Sequence, residues 1–410
     1  RQPSLPPWLP DAVRAEAESL SARSSYHFAD MAPAAVEALY GKTLPLSASK
    51  LDCFAGCRYA FFLQYGLRAL PWKQAEFDAP LFGSFVHDVL EHVVREAQAQ
   101  GGFAALTDAQ VAALTERCMD ACMQTYLPQG DARASREGYL STRNRQEAAA
   151  VVLDVARELR LSQFTPAAEE LTFAPGGQMP PIVYHASRGD GLLTGKIDRV
   201  DTYEKDGTTY FRIVDYKTGR KDFSYTDLLY GKDLQMLLYL FALQENQKKA
   251  GHPMQPAGAL YVPGRCDMIR LEPGEDAGEA DAERRKQLRR KGLVLQDEAV
   301  LQAMEHYDGE PQYLPVQLKK DGLTGDLATP AQLAALERFV TGQVAAMIDE
   351  ILSGKTQPNP VDRGPADSVC RWCDYSSACH KDVCAVSPRR FAAVKADEFW
   401  QEIERRQRHG

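Results

Sequence analysis

Two short segments in the middle of the chain carry acidic and basic side chains at spacings that suit metal-dependent hydrolysis. In residues 213–217 (Ile-Val-Asp-Tyr-Lys), the side-chain period of a β-strand places Asp215 and Lys217 on one face. The carboxylate can hold a divalent cation such as Mg²⁺, which prefers hard oxygen ligands, while the lysine orients or activates the water beside it. This pattern therefore indicates hydrolysis of a phosphodiester.

A second carboxylate comes from residues 195–201 (Gly-Lys-Ile-Asp-Arg-Val-Asp). A hairpin through residues 203–208 would bring Asp198 alongside Asp215, so that both carboxylates could serve one metal ion. Asp201 is the rival for this role, but the Gly-x-x-Asp-Arg context favours Asp198.

Three other side chains are candidates for the same site. His87 follows Gly83 on a predicted helix, and a neutral imidazole is a competent ligand even among carboxylates. Gln235 and Tyr239 are one helical turn apart, so both project toward one place, where they could contact the DNA backbone or support the lysine. Each piece alone is commonly a solvated strand edge, an ordinary histidine or ordinary helix chemistry. Their order and spacing together strengthen the prediction.

Two other motifs are weaker than they look. Residues 189–197 suggest a phosphate loop, but Asp190 stands where its first glycine belongs, and the segment leads into a strand. ATP binding there is not expected. Residues 284–291 form a dense basic run that follows a stretch rich in Asp and Glu. This run is interpreted as a solvated helix, with a DNA-contacting patch as the lesser alternative.

The cysteines predict a second metal centre near the C-terminus. Cys370, Cys373 and Cys379 form a compact group of three thiols, and metal or cluster chemistry asks for a fourth ligand. Cys384 and His380 are nearby candidates that would suit Zn²⁺, whereas Cys57 is a distant one that would link the two ends of the domain. The remaining cysteines are expected to be small buried hydrophobic residues or inert thiols.

Composition describes an ordinary globular chain. Of its 410 residues 44% are hydrophobic, which is enough for two or three packed units. A net charge of -8 argues mildly against a general nucleic-acid binder, although an acidic total can hide a local basic channel. No apolar run is long enough for a membrane span and no signal-peptide pattern opens the chain, so we expect a cytoplasmic fragment of a larger protein without membrane contact.

The chain divides into five predicted parts. Residues 1–46 suit a helical connector from a missing upstream domain, and residues 47–168 are helical, with Ser47 and Ser49 as possible N-caps of an aromatic helix. Residues 169–263 read as an antiparallel meander followed by a helix and another strand, which predicts a mixed α/β sheet flanked by helices. Residues 264–328 are expected to be an irregular charged insertion. Residues 329–410 hold a long amphipathic helix, the cysteine group and a final helix over 388–407.

Taken together, these motifs resemble those of the C-terminal nuclease domains of the AddB family, which are PD-(D/E)XK iron-sulfur nucleases. The matching pieces span residues 46–380 and include the motifs around Cys57, His87, Asp198, Asp215 and Gln235 and the late cysteines. The resemblance implies a PD-(D/E)XK core with His87, Asp198 and Asp215 as Mg²⁺ ligands. It also implies a [4Fe-4S] cluster on Cys57, Cys370, Cys373 and Cys379, with Zn²⁺ as the alternative.

By the same resemblance, the chain would cut the 5′-terminated single strand of DNA while an AddA-like helicase-nuclease subunit unwinds a broken duplex during recombinational repair. Arg58 follows Cys57 where the family usually has proline, which leaves the ligand itself unaffected. Two alternatives stay open. One is a stand-alone iron-sulfur nuclease of the CRISPR-adaptation type, whose members are much shorter, and the other is a catalytically silent DNA-binding scaffold.

Overall fold

The computed structural model describes residues 8–23, 29–70, 79–126, 136–266, 277–320, 322–364, 368–379 and 388–409. Up to residue 161 the described chain is helical apart from one strand. Its elements are α1 (Asp11–Arg23), α2 (Pro33–Tyr40), β1 (Thr43–Leu46), α3 (Ala48–Gly56), α4 (Arg58–Phe61), α5 (Ala79–Ala99), α6 (Asp108–Tyr126) and α7 (Arg136–Leu161).

Strands dominate the middle of the chain. They are β2 (Thr165–Phe173), β3 (Ile182–His185), β4 (Asp190–Leu193), β5 (Gly195–Lys205), β6 (Thr208–Lys217) and β7 (Gln255–Pro263), with α8 (Tyr225–Leu229) and α9 (Gln235–Lys249) between the last two. The C-terminal part contains α10 (Ala277–Leu288), β8 (Lys291–Leu295), α11 (Glu298–Met304), β9 (Val316–Lys319), β10 (Gly322–Gly325), β11 (Leu327–Ala328), α12 (Pro330–Leu352), α13 (Ser376–Cys379) and α14 (Ala396–His409).

A six-stranded mixed sheet forms the centre of the fold, in the order β11-β8-β7-β6-β5-β2. Strands β5 and β6 form an antiparallel hairpin, turning at Asp206 and Gly207, which both have positive φ. Strand β7 then pairs parallel to β6, because α9 crosses over between them. The predicted α/β class with a mixed sheet flanked by helices is confirmed.

Each face of β6 packs against a different layer of helices. Phe211 and Ile213 belong to the main core, together with the apolar side chains of α9 and α12. Val214 and Tyr216 belong to a second core formed with α5, α6 and α7. Because side chains alternate along a strand, Asp215 falls on the α9 side of β6, and its neighbours in sequence face α5.

The predicted continuous meander over 169–216 is wrong in its middle. Strands β3 and β4 leave the central sheet and form a separate sheet with β1, in the order β1-β4-β3. Thr43 to Leu46 pair in parallel with Asp190 to Leu193, so the predicted connector 1–46 contributes a strand. Such a pairing joins residues far apart in sequence and leaves no local periodicity.

The aromatic helix predicted over residues 47–70 is interrupted. Ser47 caps it as expected, since its hydroxyl accepts a hydrogen bond from the Lys50 N–H. Cys57 then adopts an extended conformation, with φ -164° and ψ 124°, between α3 and α4. A π-helical turn over Phe62–Gly66 follows. The break turns the Cys57 side chain toward the C-terminal part of the chain.

The prediction of an irregular insertion over 264–328 is also wrong. Strand β8 pairs antiparallel with β7, and β11 pairs in parallel with β8, so this segment supplies one edge of the central sheet. The basic run behaves as predicted only in part: Arg284, Arg285 and Lys286 are exposed on α10. Arg290, by contrast, is fully buried and binds Asp154 and Glu158 of α7.

The C-terminal helices agree better with the sequence. The long amphipathic helix is α12, which opens with a capping box between Thr329 and Gln332. The final helix begins at Ala396, not at residue 388. Among the described helices, none is long and apolar enough to cross a bilayer.

Candidate active site

The β5–β6 hairpin brings the two predicted carboxylates together. Arg199 pairs with Val214, and Asp198 and Asp215 are the next residues along the two strands. The backbone N–H of Tyr216 donates a hydrogen bond to Oδ2 of Asp198 at 2.9 Å. Both aspartates are nearly buried, with 9% of Asp198 and 3% of Asp215 exposed. Two carboxylates so close and so poorly hydrated suit a bound cation.

Lys217 and Gln235 complete a polar network around Asp215. The Lys217 ammonium lies 2.6 Å from Oδ2 of Asp215, and it donates to Oε1 of Gln235 at 3.3 Å. The Gln235 amide donates in turn to Oδ1 of Asp215 at 2.9 Å. The predicted face-sharing of Asp215 and Lys217 is therefore present, and the first residue of α9 holds both groups.

His87 reaches the same place from α5, on the opposite side of the sheet. Its Nδ1 lies 3.3 Å from Oδ2 of Asp198, and its Nε2 lies 2.6 Å from the backbone oxygen of Tyr216. The ring also makes an edge contact with the Tyr216 ring, at 5.9 Å between centroids. The helix, the hairpin and α9 thus meet at the end of β6.

Glu170 is a member of this group that the sequence analysis missed. One ligand atom each from His87, Glu170 and Asp198 lies within 4.8 Å of the others. The pairs Glu169–Arg199 and Leu171–Ile197 put Glu170 across from Asp198 on the neighbouring strand. In the structure it forms an ion pair with Lys196, and its φ is 52°. Only the β2–β5 register, which no local motif indicates, could have identified it.

Asp201, the rival of Asp198, lies outside the site. It is fully buried and accepts hydrogen bonds from the guanidinium groups of Arg199 and Arg212. Arg212 also lies 3.3 Å from Glu158 of α7. Because a buried charge needs paired partners, this network fixes α7 to the sheet and keeps the Asp201 carboxylate away from His87 and Asp198.

Tyr239 lies beside Gln235, as their helical spacing predicts, and the two side chains are hydrogen-bonded. The Tyr239 ring makes an edge contact with Phe173, at 5.2 Å between centroids. Both rings cover Gly195, where an added Cβ would lie 2.7 Å from each of them. Burial raises the pKa of Tyr239 to about 12, and Gln235 bonds its hydroxyl. Gly195 in the Gly-x-x-Asp-Arg segment thus makes room for Tyr239.

The electrostatics of the site favour proton uptake without a metal. Burial, followed by the neighbouring Asp198 carboxylate, raises the pKa of Asp215 to about 6, against the opposing effect of Lys217. Burial would lower the pKa of His87, but its bond to Asp198 and the charges of Asp198 and Asp215 together raise it. A cation bound here would relieve the repulsion between the two carboxylates.

The donor set fits a hard divalent cation. Oδ2 of Asp215 is buried and has no partner with hydrogen-bond geometry, despite its proximity to Lys217. The Lys217 ammonium balances one of the two buried carboxylates, and a divalent cation would compensate the charge of the other. Carboxylates with one imidazole are ligands that Mg²⁺ and Mn²⁺ accept.

The early and late cysteines converge on a second site. Cys57, Cys370, Cys373 and Cys379 line one cavity of about 340 Å³, which Cys53 also lines. Backbone contacts hold the two ends together, since Val361 N–H donates to the Gly56 carbonyl at 3.0 Å, and Arg58 N–H donates to Oδ1 of Asn359 at 2.8 Å. The distant alternative, Cys57, is therefore brought to the three late cysteines.

These thiols are not gathered as closely as the four ligands of one bound zinc ion. Four thiolates around one zinc ion would place their sulfurs about 3.8 Å apart, given a bond of about 2.3 Å. Among the described residues no three cysteine sulfurs lie within 4.8 Å of one another. A cluster in which each thiolate binds a different iron holds its ligands farther apart. Cys384 and His380, the zinc candidates, lie outside the described residues.

Residues 45–380 match the family model of the PD-(D/E)XK nuclease superfamily. The chain therefore belongs to this superfamily of metal-dependent nucleases, and the predicted fold and enzyme class are confirmed. Proteins named as the B subunit of an ATP-dependent helicase/deoxyribonuclease are similar to it over most of its length. The one from Acetivibrio thermocellus is 31% identical over 95% of this chain and 35% of its own length.

Two more relatives with that name show the same pattern. The protein from Caldanaerobacter subterraneus is 32% identical over 85% of this chain and 30% of its own length. The one from Clostridium kluyveri is 31% identical over 90% of this chain and 33% of its own length. The chain thus spans about a third of the curated relatives that it matches, and the resemblance to AddB nuclease domains agrees with their name.

Proposed function

We propose that the chain is the nuclease module of an AddAB-type helicase-nuclease and hydrolyses the 5′-terminated single strand of DNA with Mg²⁺. The convergence of Asp198, Asp215, Lys217 and His87 at the end of β6 carries this proposal. The deoxyribonuclease named in the relatives supports the choice of DNA.

Each side chain of the site has a role in the proposal. His87, Asp198 and Asp215 hold the metal. The carboxylate of Glu170 becomes a further ligand when its ion pair with Lys196 breaks. When bound, the ion would polarise the scissile phosphate and lower the pKa of the attacking water. Lys217 orients that water, and Gln235 keeps the ammonium beside Asp215 through its two hydrogen bonds. Tyr239 supports Gln235.

A cleavage assay on the 410-residue chain tests this function. With Mg²⁺ and single-stranded oligonucleotides labelled at either the 5′ or the 3′ end, wild-type protein should release short products from the 5′ end first. Asp215→Asn should abolish cleavage with the fold intact by circular dichroism. Asp190→Asn, a half-exposed aspartate on β4, is the matched control. Cleavage by Asp215→Asn at the wild-type rate would refute the assignment.

The cleavage assay tests one of the two alternatives, and association with a helicase subunit tests the other. A catalytically silent scaffold would bind DNA without cutting it at any Mg²⁺ concentration. A stand-alone nuclease would cut without a partner and would not associate with an AddA-like subunit. The relatives are named as one subunit of a helicase/deoxyribonuclease, which supports a partnered enzyme. Co-purification with such a helicase is therefore the expected outcome.

We further propose that Cys57, Cys370, Cys373 and Cys379 hold a [4Fe-4S] cluster, which would link residues far apart in sequence. The cavity that these four cysteines share supports this. Anaerobically purified protein should be brown, with about four irons per chain. Cys57→Ser should lose the colour and Cys118→Ser, a buried cysteine elsewhere, should keep it. A colourless protein with one zinc per chain would contradict the cluster.

A further inference from the structure

A basic groove begins at Lys217 and runs away from the metal-binding carboxylates. Six cationic side chains line it: Lys217, Arg220, Lys221, Arg265, Lys286 and Lys291. Among the described residues, the carboxylates of Asp222 and Glu283 line it with them. Three of these cations also pair with carboxylates just outside the groove, Lys217 with Asp215, Lys221 with Asp233 and Arg265 with Glu147. With those partners counted, the described side chains in and beside the groove carry a charge of about +1, in a chain whose net charge is -8. Its volume of about 380 Å³ lies in the range of ligand-binding clefts.

The ends of β6 and β7 and the residues that follow them form one side of the groove. Lys217 pairs with Pro263 of β7, and Gly264 N–H donates to the Lys217 carbonyl at 2.8 Å. Thr218 is enclosed by two glycines, since a Cβ on either Gly83 or Gly264 would lie 3.1 Å from its side chain. The chain after Lys217 is therefore held in one path along the groove.

Strand β8 and helix α10 supply the far wall. Lys291 pairs with Tyr261 across β7 and β8, and Lys286 lies in the last turn of α10. Both come from residues 264–328, and the described part of that range contributes no ligand to the carboxylate site. The placement of this segment at the edge of the sheet is what brings its lysines near Lys217.

The charges on the rim can exchange their present partners for a ligand. Arg220 is 91% exposed and lies 3.6 Å from Asp222, and Lys286 is 76% exposed and lies 3.3 Å from Glu283. Lys291 is 3.8 Å from the same Asp222. Exposed ion pairs of this kind contribute little to stability. Lys221 differs, because it is fixed 2.5 Å from Asp233 and lies over the Tyr261 ring.

The chemistry of the groove matches phosphate, not bases. Lysine and arginine side chains bind the phosphates of a nucleic-acid backbone, whereas bases stack on exposed aromatic rings. Tyr261, the aromatic residue of the groove, is only 3% exposed and offers no face for stacking. We infer that this groove binds the backbone phosphates of the DNA strand on one side of the scissile bond, without preference for base sequence.

This inference rests on the proposed function, and a binding measurement separates the two. Fluorescence anisotropy of a labelled single-stranded oligonucleotide, without metal, measures the affinity of the protein for DNA. Wild-type protein is compared with a double variant that carries both Lys286→Ala and Lys291→Ala. The double variant should bind about 5- to 30-fold more weakly, because two phosphates lose their cationic partners. The slope of log affinity against log salt should fall by about 0.7 for each phosphate that the variant no longer neutralises. Replacement of both lysines by arginine should restore binding.

The matched control is Lys248→Ala with Lys249→Ala, on the exposed last turn of α9. Like Lys286, Lys249 is an exposed helical lysine paired with a glutamate on its own helix. The control should bind DNA like wild type with an unchanged salt slope. In cleavage assays the groove variant should raise KM, with kcat within about twofold.

The outcomes distinguish the two ideas. If wild-type protein cuts DNA and the groove variant keeps its affinity and salt slope, the groove inference is wrong and the nuclease stands. If the variant loses affinity but wild-type protein never cuts DNA, the groove stands and the proposed function fails. An equal loss in the Lys248 and Lys249 control would also overturn the groove, because it would show a general charge effect.

Discussion

The backbone N–H of Tyr216 donates a hydrogen bond to Oδ2 of Asp198 at 2.9 Å. Tyr216 is the middle residue of the Asp-Tyr-Lys motif, so it lies between Asp215 and Lys217 in sequence. This single bond fixes the carboxylate of β5 against the backbone of β6. His87 contacts the same oxygen of Asp198 and the carbonyl of Tyr216. The tyrosine backbone therefore sets the positions of the Asp198 carboxylate and the His87 imidazole, the two groups that we propose as metal ligands beside Asp215.

Glu170→Gln should weaken metal binding, because it removes one of the ligand groups clustered with His87 and Asp198. We expect the affinity for Mn²⁺, measured by titration calorimetry, to fall about tenfold or more. Glu169→Gln is the matched control, since its side chain faces away from Asp198 on the same strand. Equal affinities in the two variants would exclude Glu170 from the metal site.

Gln235→Ala should impair catalysis more than metal binding. The change removes the hydrogen bonds that hold Asp215 and the Lys217 ammonium together. A displaced lysine should lower kcat by about 10- to 100-fold, with Mn²⁺ affinity reduced much less. Gln247→Ala, near the other end of α9, should cleave like wild type. A Gln235→Ala enzyme with wild-type kcat would show that the amide has no positioning role.

Metal binding should weaken as the pH falls. The pKa of Asp215 is raised to about 6 and that of His87 is also raised, so both groups take up protons that compete with the cation. Below about pH 6, Mn²⁺ affinity should fall by up to about a hundredfold per pH unit, because each of the two competing protons contributes up to about tenfold. The pKa of Asp215 is higher in the folded chain than its ordinary value, so ionisation of Asp215 lowers the free energy of unfolding of the metal-free protein. This loss is complete above about pH 6 and absent below about pH 4. A Mn²⁺ affinity that does not change from about pH 5 to 7 would contradict the predicted competition between protons and the metal.

Arg290→Ala should strongly destabilise the fold. Arg290 is fully buried and bonds both Asp154 and Glu158, so its removal leaves two carboxylates without their main partner. We expect a loss of about 3–5 kcal/mol in the free energy of unfolding by denaturant titration. Arg285→Ala, an exposed arginine of the same basic run, should change stability by about 0.5 kcal/mol or less. Similar effects from both variants would show that the buried network is not needed.

Several features of the site could be predicted because they depend on neighbours in sequence. The alternation along β6 places Asp215 beside Lys217, and the two-residue turn at Asp206 and Gly207 closes the hairpin to Asp198. One turn of helix separates Gln235 from Tyr239, and the structure brings their side chains together. Ser47, a predicted cap, likewise lies where a helix begins.

What the sequence determined by itself was the local chemistry, because backbone alternation, helical spacing and turn preferences act over a few residues. Only the tertiary structure decided which distant pieces meet. It placed Glu170 across from Asp198, brought Cys57 to the late cysteines, paired β1 with β4, and turned residues 264–328 into a sheet edge with a buried Arg290. Those contacts depend on strand register and on the burial of charge against partners far along the chain, which no short motif encodes.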